Sequence, residues 1–249
     1  MNLSDVTIGI TAFLRPGYLR NAVETVGVSF PECELAIADD SGYPYSGHPG
    51  KWKTSIVLPF DSGLCRKRNA LVAATDTKYF LLGSDDFVFD QEARKGVEAM
   101  LLVLKTDPTI DVACGRVNNK PYEGFLEYVP GSHIRETRFE LETRFGLTND
   151  SRVWYDVDIT ANYFLARTET IVPWQDELKI GGEHALWFLR MGQAGRRFVW
   201  VPGCNIKTAT GLEQDSRYIG FRRRAFDGHN RMKQILDIKD YIDFNGHKS

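Results

Sequence analysis

The chain has 249 residues, 43% of them hydrophobic, which is enough to build a substantial core. Its formal net charge of −2 gives no bulk electrostatic argument for a nucleic-acid or anionic-membrane partner. The four cysteines show neither a CxxC pair nor zinc-ligand spacing, so we expect reduced thiols rather than a metal or disulfide framework. We find no signal-peptide pattern and no apolar run long enough for a transmembrane helix, and therefore expect a cytoplasmic protein.

Strand-like and helix-like segments alternate through the first half of the chain. Short apolar, β-rich runs predict strands over 6–13, 34–42, 54–60 and 78–89. Helical spacing predicts helices over 18–29, 63–76 and 90–105, with a Gly/Pro-rich loop over 42–53. Such alternation predicts an α/β fold, with a mostly parallel central sheet that helices cover on both faces.

The second half of the chain is less regular. We predict short β-prone pieces over 116–152, strands over 156–168 and 196–208, and helices over 180–195 and 221–238. No internal repeat, low-complexity segment or clear linker interrupts these elements. We therefore expect a single domain over 1–249.

Acidic side chains stand where predicted strands end. Asp39 and Asp40 follow the second strand, and Asp85 and Asp86 interrupt the apolar run YFLLGSDDFVF. Ligands of open α/β sheets bind beyond the carboxyl ends of the strands. Two adjacent carboxylates in an apolar run are costly to bury unless a cation neutralises them. The sequence therefore predicts a ligand site at this sheet edge, with a cation beside Asp85 and Asp86.

Several motifs resemble the GT-A nucleotide-sugar glycosyltransferases, especially family 2-like enzymes such as the ganglioside N-acetylgalactosaminyltransferases and their bacterial and viral relatives. The motifs are TIGITAFLRPGYL, AIADDSG, GLCRKRNALV, KYFLLGSDDFVF, NYFLART and GGEHALWFLRMGQAG, in that order over about residues 6–210. The resemblance implies the Rossmann-like GT-A fold and inverting transfer from a UDP-linked sugar, such as an N-acetylhexosamine, to a glycan or other hydroxyl. It divides the chain into a nucleotide-binding half (1–115), an acceptor-binding half (116–210) and a basic C-terminal lid (211–249).

The resemblance also implies a nucleotide site. It would consist of Thr11, Phe13, Arg15, Asp39, Asp40, Arg68, Asn69, Ser84, Asp85 and Lys207. Carboxylates suit the hydroxyl and N–H groups of a nucleoside, and a helix start suits a diphosphate. The alternatives are that the two strand-end acids only cap an Asp-Ser-Gly turn and that the cations next to Arg68 are solvated.

The resemblance implies a Mn²⁺ or Mg²⁺ ion on Asp86 and Asp85, although one acid of the usual D-x-D motif is missing. In one register Ser84 replaces the first acid and Asp86 is the ligand; in the other Gly83 replaces it and Asp85 is the ligand. Lys207 stands where relatives commonly have a histidine. Either a metal binds here, or Lys207 and the basic tail supply the charge and metal dependence is reduced.

The catalytic base of an inverting transfer is a carboxylate or imidazole that takes the proton of the acceptor hydroxyl. The resemblance points to Glu183, with His184 as the second choice, at the start of the predicted helix after Gly-Gly. A first-turn acid is also favoured simply by the helix dipole. In that case Asp156 and Asp158 are the next candidates.

Other interpretations stay open at this point. The tail RYIGFRRRAFDGHNR is compatible with a lid, a nucleic-acid contact or a solvated surface helix, and Trp154, Tyr155, Trp174 and Trp187 with sugar stacking or core packing. The rival functions are glycosyl transfer to a modified nucleic-acid base, which is not favoured, a non-catalytic sugar-nucleotide binder, and a nucleotidyltransferase, whose Gly-rich signature loop is missing. The oligomeric state stays open.

Overall fold

A computed structural model describes residues 1–42, 52–140 and 154–249 of the chain. Most of the predicted loop at 42–53 and the end of the predicted β-prone region at 116–152 lie outside these ranges. The described strands are β1 (Val6–Ala12), β2 (Glu34–Asp39), β3 (Trp52–Val57), β4 (Tyr79–Ser84), β5 (Phe87–Val88), β6 (Val112–Val117), β7 (Gly124–Val129), β8 (His133–Arg138), β9 (Tyr155–Val157), β10 (Phe164–Arg167), β11 (Phe198–Thr208) and β12 (Asp240–Ile242). The described helices are α1 (Pro16–Ser29), α2 (Leu64–Ala73), α3 (Gln91–Thr106), α4 (Glu183–Gln193), α5 (Tyr218–Arg222) and α6 (Ala225–Leu236).

Nine of the described strands form one large sheet, in the order β3-β2-β1-β4-β10-β6-β11-β5 with β9 beside β11. β1 is parallel to β2 and β4, β2 is parallel to β3, and β6 is parallel to β11. β10 runs antiparallel to both β4 and β6, so β4 and β6 point the same way. Six of the nine strands therefore share one direction, and the predicted mostly parallel α/β sheet is confirmed.

Both faces of the sheet are buried, as its apolar strands predict. Ile8 and Ile10 of β1 and Leu81 of β4 pack on one face with the apolar stripe of α3, whereas Phe80 and Leu82 pack on the other face with α2 and α4. Alternate residues of a strand point to opposite faces, so a strand that is apolar throughout needs helices on both sides. The four cysteines are free and buried, in agreement with the prediction of reduced core thiols.

The structure corrects two predicted strands. The segment 78–89 divides at Ser84, where β4 ends. Phe87 and Val88 form β5, which pairs with Thr208 and Lys207 of β11 at one edge of the sheet. The segment 156–168 divides into β9 and β10, which pair with β11 and β4. In both cases continuous β propensity concealed a turn, because tertiary pairing overrides local preference.

The predicted C-terminal helix at 221–238 also differs from the structure. Helical residues begin at Tyr218, and the segment is two helices, α5 and α6, rather than one. No helix in the described part of the chain has the length and apolarity needed to cross a membrane.

A second, three-stranded sheet has the order β12-β8-β7 and contains a buried acid. Glu136 of β8 is 4% exposed, and the Tyr241 hydroxyl donates to its Oε1 at 2.6 Å. Burial raises the pKa of Glu136 to about 7. The folded state therefore holds the proton of Glu136 more tightly than the unfolded chain does.

This raised pKa makes the stability of the protein pH-dependent. The stabilisation from protonated Glu136 is fully present below the unfolded pKa and is lost as pH rises towards about 7. We expect the unchanged protein to lose about 3 kcal/mol relative to Glu136→Gln between pH 4.5 and 7. Urea unfolding at several pH values measures this, with the exposed Glu127→Gln as the control variant. A constant difference between the unchanged protein and Glu136→Gln across this range would contradict the prediction.

Candidate active site

A cleft of about 420 Å³ opens at the carboxyl ends of β1, β2 and β4, beside the start of α2 and beneath α5. Its described lining residues are Thr11, Phe13, Arg15, Asp40, Asp61, Gly63, Leu64, Lys67, Arg68, Leu82, Gly83, Ser84, Asp85, Asp86, Phe87, Val117, Tyr122, Ala161, Asn162, Lys179, Ile180, His184, Tyr218, Phe221, Arg222 and Arg224. The cleft thus lies where ligands bind in sheets of this kind. It brings together most of the residues that the sequence singled out.

A buried ion pair lies between β2 and α2. The Lys67 ammonium donates to Asp40 Oδ1 at 2.6 Å and to the Ala12 carbonyl at 3.0 Å, and the Gly63 amide donates to Asp40 Oδ2 at 2.8 Å. Both charged residues are under 5% exposed. Lys67, for which the sequence also allows a solvated position, is therefore a buried partner of Asp40. Arg66, its neighbour, is exposed.

Gly63 permits this arrangement because it adopts a positive φ of 94° just before α2. A Cβ built on Gly63 would lie 2.5 Å from the Cα of Lys179. The site therefore requires glycine both for backbone conformation and for close approach. The Lys179 ammonium in turn donates to Asp61 at 3.0 Å at the rim of the cleft.

Three residues of the predicted nucleotide site do not line the cleft: Asp39, Asn69 and Lys207. Asp39 accepts from the Ser41 amide at 2.8 Å, which is the local-turn alternative for this acid, and burial raises its pKa. Asn69 donates to the Trp174 carbonyl at 2.9 Å and to Asp176 at 2.7 Å, so it holds the loop before α4. These contacts correct the predicted placement of Asp39 and Asn69.

Arg68 is buried, lines the cleft and is incompletely hydrogen-bonded within the described part of the chain. Its side chain is 5% exposed, and Nε and Nη1 have no hydrogen-bond partner among the described residues. The guanidinium lies 5.7 Å from the Trp174 ring centre, and Nη1 lies 3.7 Å from Glu183 Oε1. A buried, incompletely hydrogen-bonded guanidinium is costly, and an anionic or hydroxyl-bearing ligand in the cleft would satisfy it.

Glu183 is the first residue of α4 and is 7% exposed. The turn before it depends on Gly181, because a Cβ there would lie 2.0 Å from the Ala225 carbonyl oxygen. Glu183 itself is behind Arg68 rather than among the lining residues, whereas its neighbours Ile180 and His184 line the cleft. The candidate base is thus adjacent to the cleft, with its carboxylate directed towards Arg68.

The other candidate base, His184, has both ring nitrogens engaged. Nε2 lies 2.5 Å from the Thr160 carbonyl and Nδ1 lies 2.8 Å from the Asn162 side-chain amide. Burial lowers the pKa of His184 to about 4. The Thr160 carbonyl oxygen and Asn162 Oδ1 both accept, so the neutral ring can donate to only one of them. These contacts favour a positioning role for His184 and do not support its prediction as a base.

The adjacent acids Asp85 and Asp86 pair with a cation of the protein itself. Arg15 Nε donates to Asp85 Oδ2 at 3.2 Å, its Nη2 pairs with Asp85 Oδ1, and its Nη1 donates to Asp86 Oδ2 at 3.0 Å. Burial alone would lower the pKa of Arg15, but the two carboxylates raise it. Burial also raises the pKa of Asp85 to about 6, although Arg15 opposes this effect. Ser84 Oγ lies 3.3 Å from Asp85 Oδ1.

These contacts do not fit a divalent ion as the side chains stand. Both oxygens of Asp85 and one of Asp86 already accept from Arg15. In the described ranges, moreover, there is no group of three or more His, Cys, Asp or Glu side chains able to hold a metal. Mg²⁺ and Mn²⁺ bind through several oxygen ligands, so a bound ion would require Arg15 to withdraw.

Lys207, the predicted substitute for a metal, lies outside the cleft. Its ammonium donates to Glu92 Oε2 at 2.5 Å and lies 3.6 Å from Asp90 Oδ2, and the Glu92 contact raises the pKa of Lys207. The side chain is 53% exposed. Lys207 lies there because this part of β11 pairs with β5, beside the start of α3, which contains Glu92. The cation next to Asp85 and Asp86 is therefore Arg15 and not, as the sequence predicted, Lys207.

The beginning of the C-terminal tail covers the cleft. Tyr218 of α5 lies over the Arg15 guanidinium at 4.6 Å, and the Phe221 ring meets Phe13 edge-on at 5.1 Å. Arg224 makes two hydrogen bonds to Asp61, at 2.6 and 3.1 Å. Among the three interpretations of the tail, this placement favours the lid.

The aromatic residues proposed for sugar stacking lie in or against the core. Trp174 stacks on Trp187 at 4.5 Å, Tyr155 stacks on Trp200 at 5.8 Å, and Trp154 packs against the larger core cluster. Tyr122, by contrast, does line the cleft, and its ring lies 5.3 Å from His184. Sequence reasoning did not identify Tyr122, which lies in an irregular segment with no motif.

The chain resembles known proteins in sequence and in structure. No family model matches the chain. Over 173 residues it is 32% identical to β-1,4 N-acetylgalactosaminyltransferase 2 of Mus musculus, and over 176 residues it is 31% identical to β-1,4 N-acetylgalactosaminyltransferase 1 of Homo sapiens. Each match covers 67% of this chain and 32% of the relative, so the matched region is about a third of those proteins.

Solved structures share the fold at low sequence identity. GalNAc-T7, crystallised with UDP, GalNAc and Mn²⁺, has a TM-score of 0.62 over 92% of this chain and 47% of its own, with 13% identity. S. aureus TarS has a TM-score of 0.55 over 82% of this chain and 60% of its own, with 14% identity. Together with the sequence matches, these likenesses show that the chain has the GT-A fold and belongs to the glycosyltransferases of that fold.

Proposed function

We propose that the chain transfers a sugar from a UDP-linked donor to an acceptor hydroxyl with inversion at the anomeric carbon. The observation that carries the proposal is Arg68, a buried guanidinium whose Nε and Nη1 have no hydrogen-bond partner among the described residues, in a cleft at the carboxyl ends of the strands. Six cationic side chains and four carboxylates are among the lining residues, so positive charge is in excess. An excess of positive charge suits a nucleotide diphosphate.

The chemistry needs a base and a stabilised leaving group. In the proposed reaction the acceptor oxygen attacks the anomeric carbon, its proton passes to Glu183, and the bond to the diphosphate oxygen breaks. Negative charge grows on the departing diphosphate, where Arg68 and the cations of α5 would stabilise it. The acceptor would enter beside Tyr122 and His184, on the side of the cleft nearest to Glu183.

The donor sugar is proposed from the relatives. Both matched enzymes are named for N-acetylgalactosaminyl transfer, and the matched region is 67% of this chain. We therefore propose UDP-N-acetylgalactosamine as the first donor to test. A glycan hydroxyl is the proposed acceptor. No contact of the described residues favours a nucleic-acid acceptor over it.

Calorimetric binding of UDP, GDP and UDP-N-acetylgalactosamine tests the donor site. We expect UDP and its sugar to bind, and Arg68→Met to weaken that binding by about 30-fold, because charged hydrogen bonds to phosphate contribute about 1.5–3 kcal/mol. Arg66→Met is the matched control, since Arg66 is exposed on the same helix.

Three results would count against the donor assignment. Binding of GDP in preference to UDP would reject the uridine donor, and equal losses in the Arg68 and Arg66 variants would reject the role of Arg68. If neither nucleotide binds and a DNA oligonucleotide binds in a salt-sensitive way, the nucleic-acid alternative gains support.

A further inference from the structure

Arg15 lies between Asp85 and Asp86 and contacts both carboxylates. Its guanidinium contacts Asp85 through Nε and Nη2 and Asp86 through Nη1. A planar guanidinium can serve two carboxylates at once, which a single ammonium cannot do with the same geometry. The two acids thus share one fixed positive charge.

The surroundings of Arg15 keep it in this place. Tyr218 and Tyr18 lie against the guanidinium, with ring centres at 4.6 and 5.3 Å. Arg15 is the residue before α1, and Pro16 begins that helix. Its side chain is only 13% exposed. Aromatic faces stabilise a guanidinium, and the start of a helix gives its backbone a defined position.

The rest of the cleft supplies positive charge independently of Arg15. Lys67 and Arg224 are paired with Asp40 and Asp61. Arg68 lies 3.7 Å from Glu183, but its Nε and Nη1 have no hydrogen-bond partner within the described ranges. Arg222, on the exposed side of α5, also lines the cleft. A donor diphosphate would therefore meet cationic side chains without a metal between it and the protein.

We propose that Arg15 is the resident cation of the Asp85–Asp86 pair and that donor binding does not require a divalent ion. The part of the proposal that concerns donor binding rests on the proposed function. The pairing of Arg15 with Asp85 and Asp86 does not depend on it. With Arg15 in place, the carboxylate oxygens that would coordinate a metal ion accept hydrogen bonds from the guanidinium instead. Without Arg15, the two carboxylates would form an acidic site open to Mn²⁺.

The first experiment titrates Mn²⁺ into the protein in the absence of nucleotide, with free Mn²⁺ followed by electron paramagnetic resonance. We expect Arg15→Met to bind Mn²⁺ at least about tenfold more tightly than the unchanged chain. Arg20→Met, at an exposed arginine of α1, the helix that follows Arg15, is the matched control and should bind like the unchanged chain. The double variant R15M/D85N should lose the gained affinity. Tight Mn²⁺ binding by the unchanged chain, or no gain in R15M, would overturn the proposal.

Loss of Arg15 leaves Asp85 buried without its cation, so R15M could fail to fold. Arg15→Lys then replaces it in the same titration, because one ammonium cannot occupy both carboxylates in the way a guanidinium does. R15K should bind Mn²⁺ more tightly than the unchanged chain. Equally weak binding by R15K and the unchanged chain would overturn the proposal.

The second experiment measures UDP binding to the unchanged chain by calorimetry, with Mn²⁺ and again with EDTA. We expect the two dissociation constants to agree within about threefold. A loss of about tenfold or more in EDTA would overturn the proposal while leaving the proposed function standing. Failure to bind UDP in either condition would count against the proposed function instead, and the nucleotide-free Mn²⁺ titration would still decide the role of Arg15.

Discussion

Glu183→Gln is expected to lower kcat by about 10³-fold while leaving KM for the donor nearly unchanged. Glutamine keeps the size of the side chain but cannot take the proton of the acceptor hydroxyl. It can still lie against Arg68, whose Nη1 is 3.7 Å from Glu183 Oε1. Release of UDP from UDP-N-acetylgalactosamine, with a panel of mono- and disaccharides as acceptors, measures the effect.

The split between kcat and KM separates catalysis from support of Arg68. If Glu183 only positions Arg68, its substitution should raise KM for the donor and leave kcat largely intact. Glu169→Gln, an exposed acid just before the loop that leads to α4, is the control and should behave like the unchanged chain. Full turnover by Glu183→Gln would rule out this residue as the base. The sequence's other candidates do not replace it, because Asp156 pairs with Arg197 and neither Asp156 nor Asp158 lines the cleft.

The sheet and the edge that carries the cleft were predictable from sequence because they depend on local pattern. The β-rich runs ending at Ala12, Asp39 and Ser84 are separated by helices, and parallel strands bring their carboxyl ends to one edge. What local pattern could not give was the pairing of Phe87 and Val88 with β11. That pairing depends on residues about 120 positions later in the chain.

Site residues that belong to a sequence motif could be predicted. Contacts between side chains far apart in sequence could not. The resemblance placed Arg15, Asp40 and Arg68 in one cleft, and they lie there. It could not show that Arg15 would pair with both acids, because that contact depends on the angle at which the chain enters α1. The available signal was electrostatic: two buried acids require a cation, and Arg15 follows a strand that ends at the same edge.

Lys67 was missed for a similar reason. Three successive cations at a helix start suggested a surface position for two of them, and helical geometry decides which one turns inward. The structure turns Lys67 towards Asp40 and leaves Arg66 exposed. The two acids at the end of the apolar β2 were the sign that one of these cations could be a buried partner.

This buried pair leads to the second large effect, on stability. Lys67→Met is expected to lower the free energy of unfolding by about 3–5 kcal/mol, because Asp40 would remain charged and buried with only the Gly63 amide as donor. Asp40→Asn should cost a similar amount, since the Lys67 ammonium would lose its carboxylate. Urea unfolding measures both losses through the transition midpoint.

The double variant K67M/D40N distinguishes a charge effect from lost packing. If the penalty comes from leaving one charge unpaired, the double variant removes both charges and should be more stable than either single variant. If the penalty comes from lost contacts, the two losses should add. The exposed pair of Lys207 and Glu92 is the matched control, and K207M/E92Q should leave the midpoint unchanged. Additive losses in the buried pair would mean that Asp40 and Lys67 stabilise the cleft by shape, and that their charges are available to a ligand rather than committed to each other.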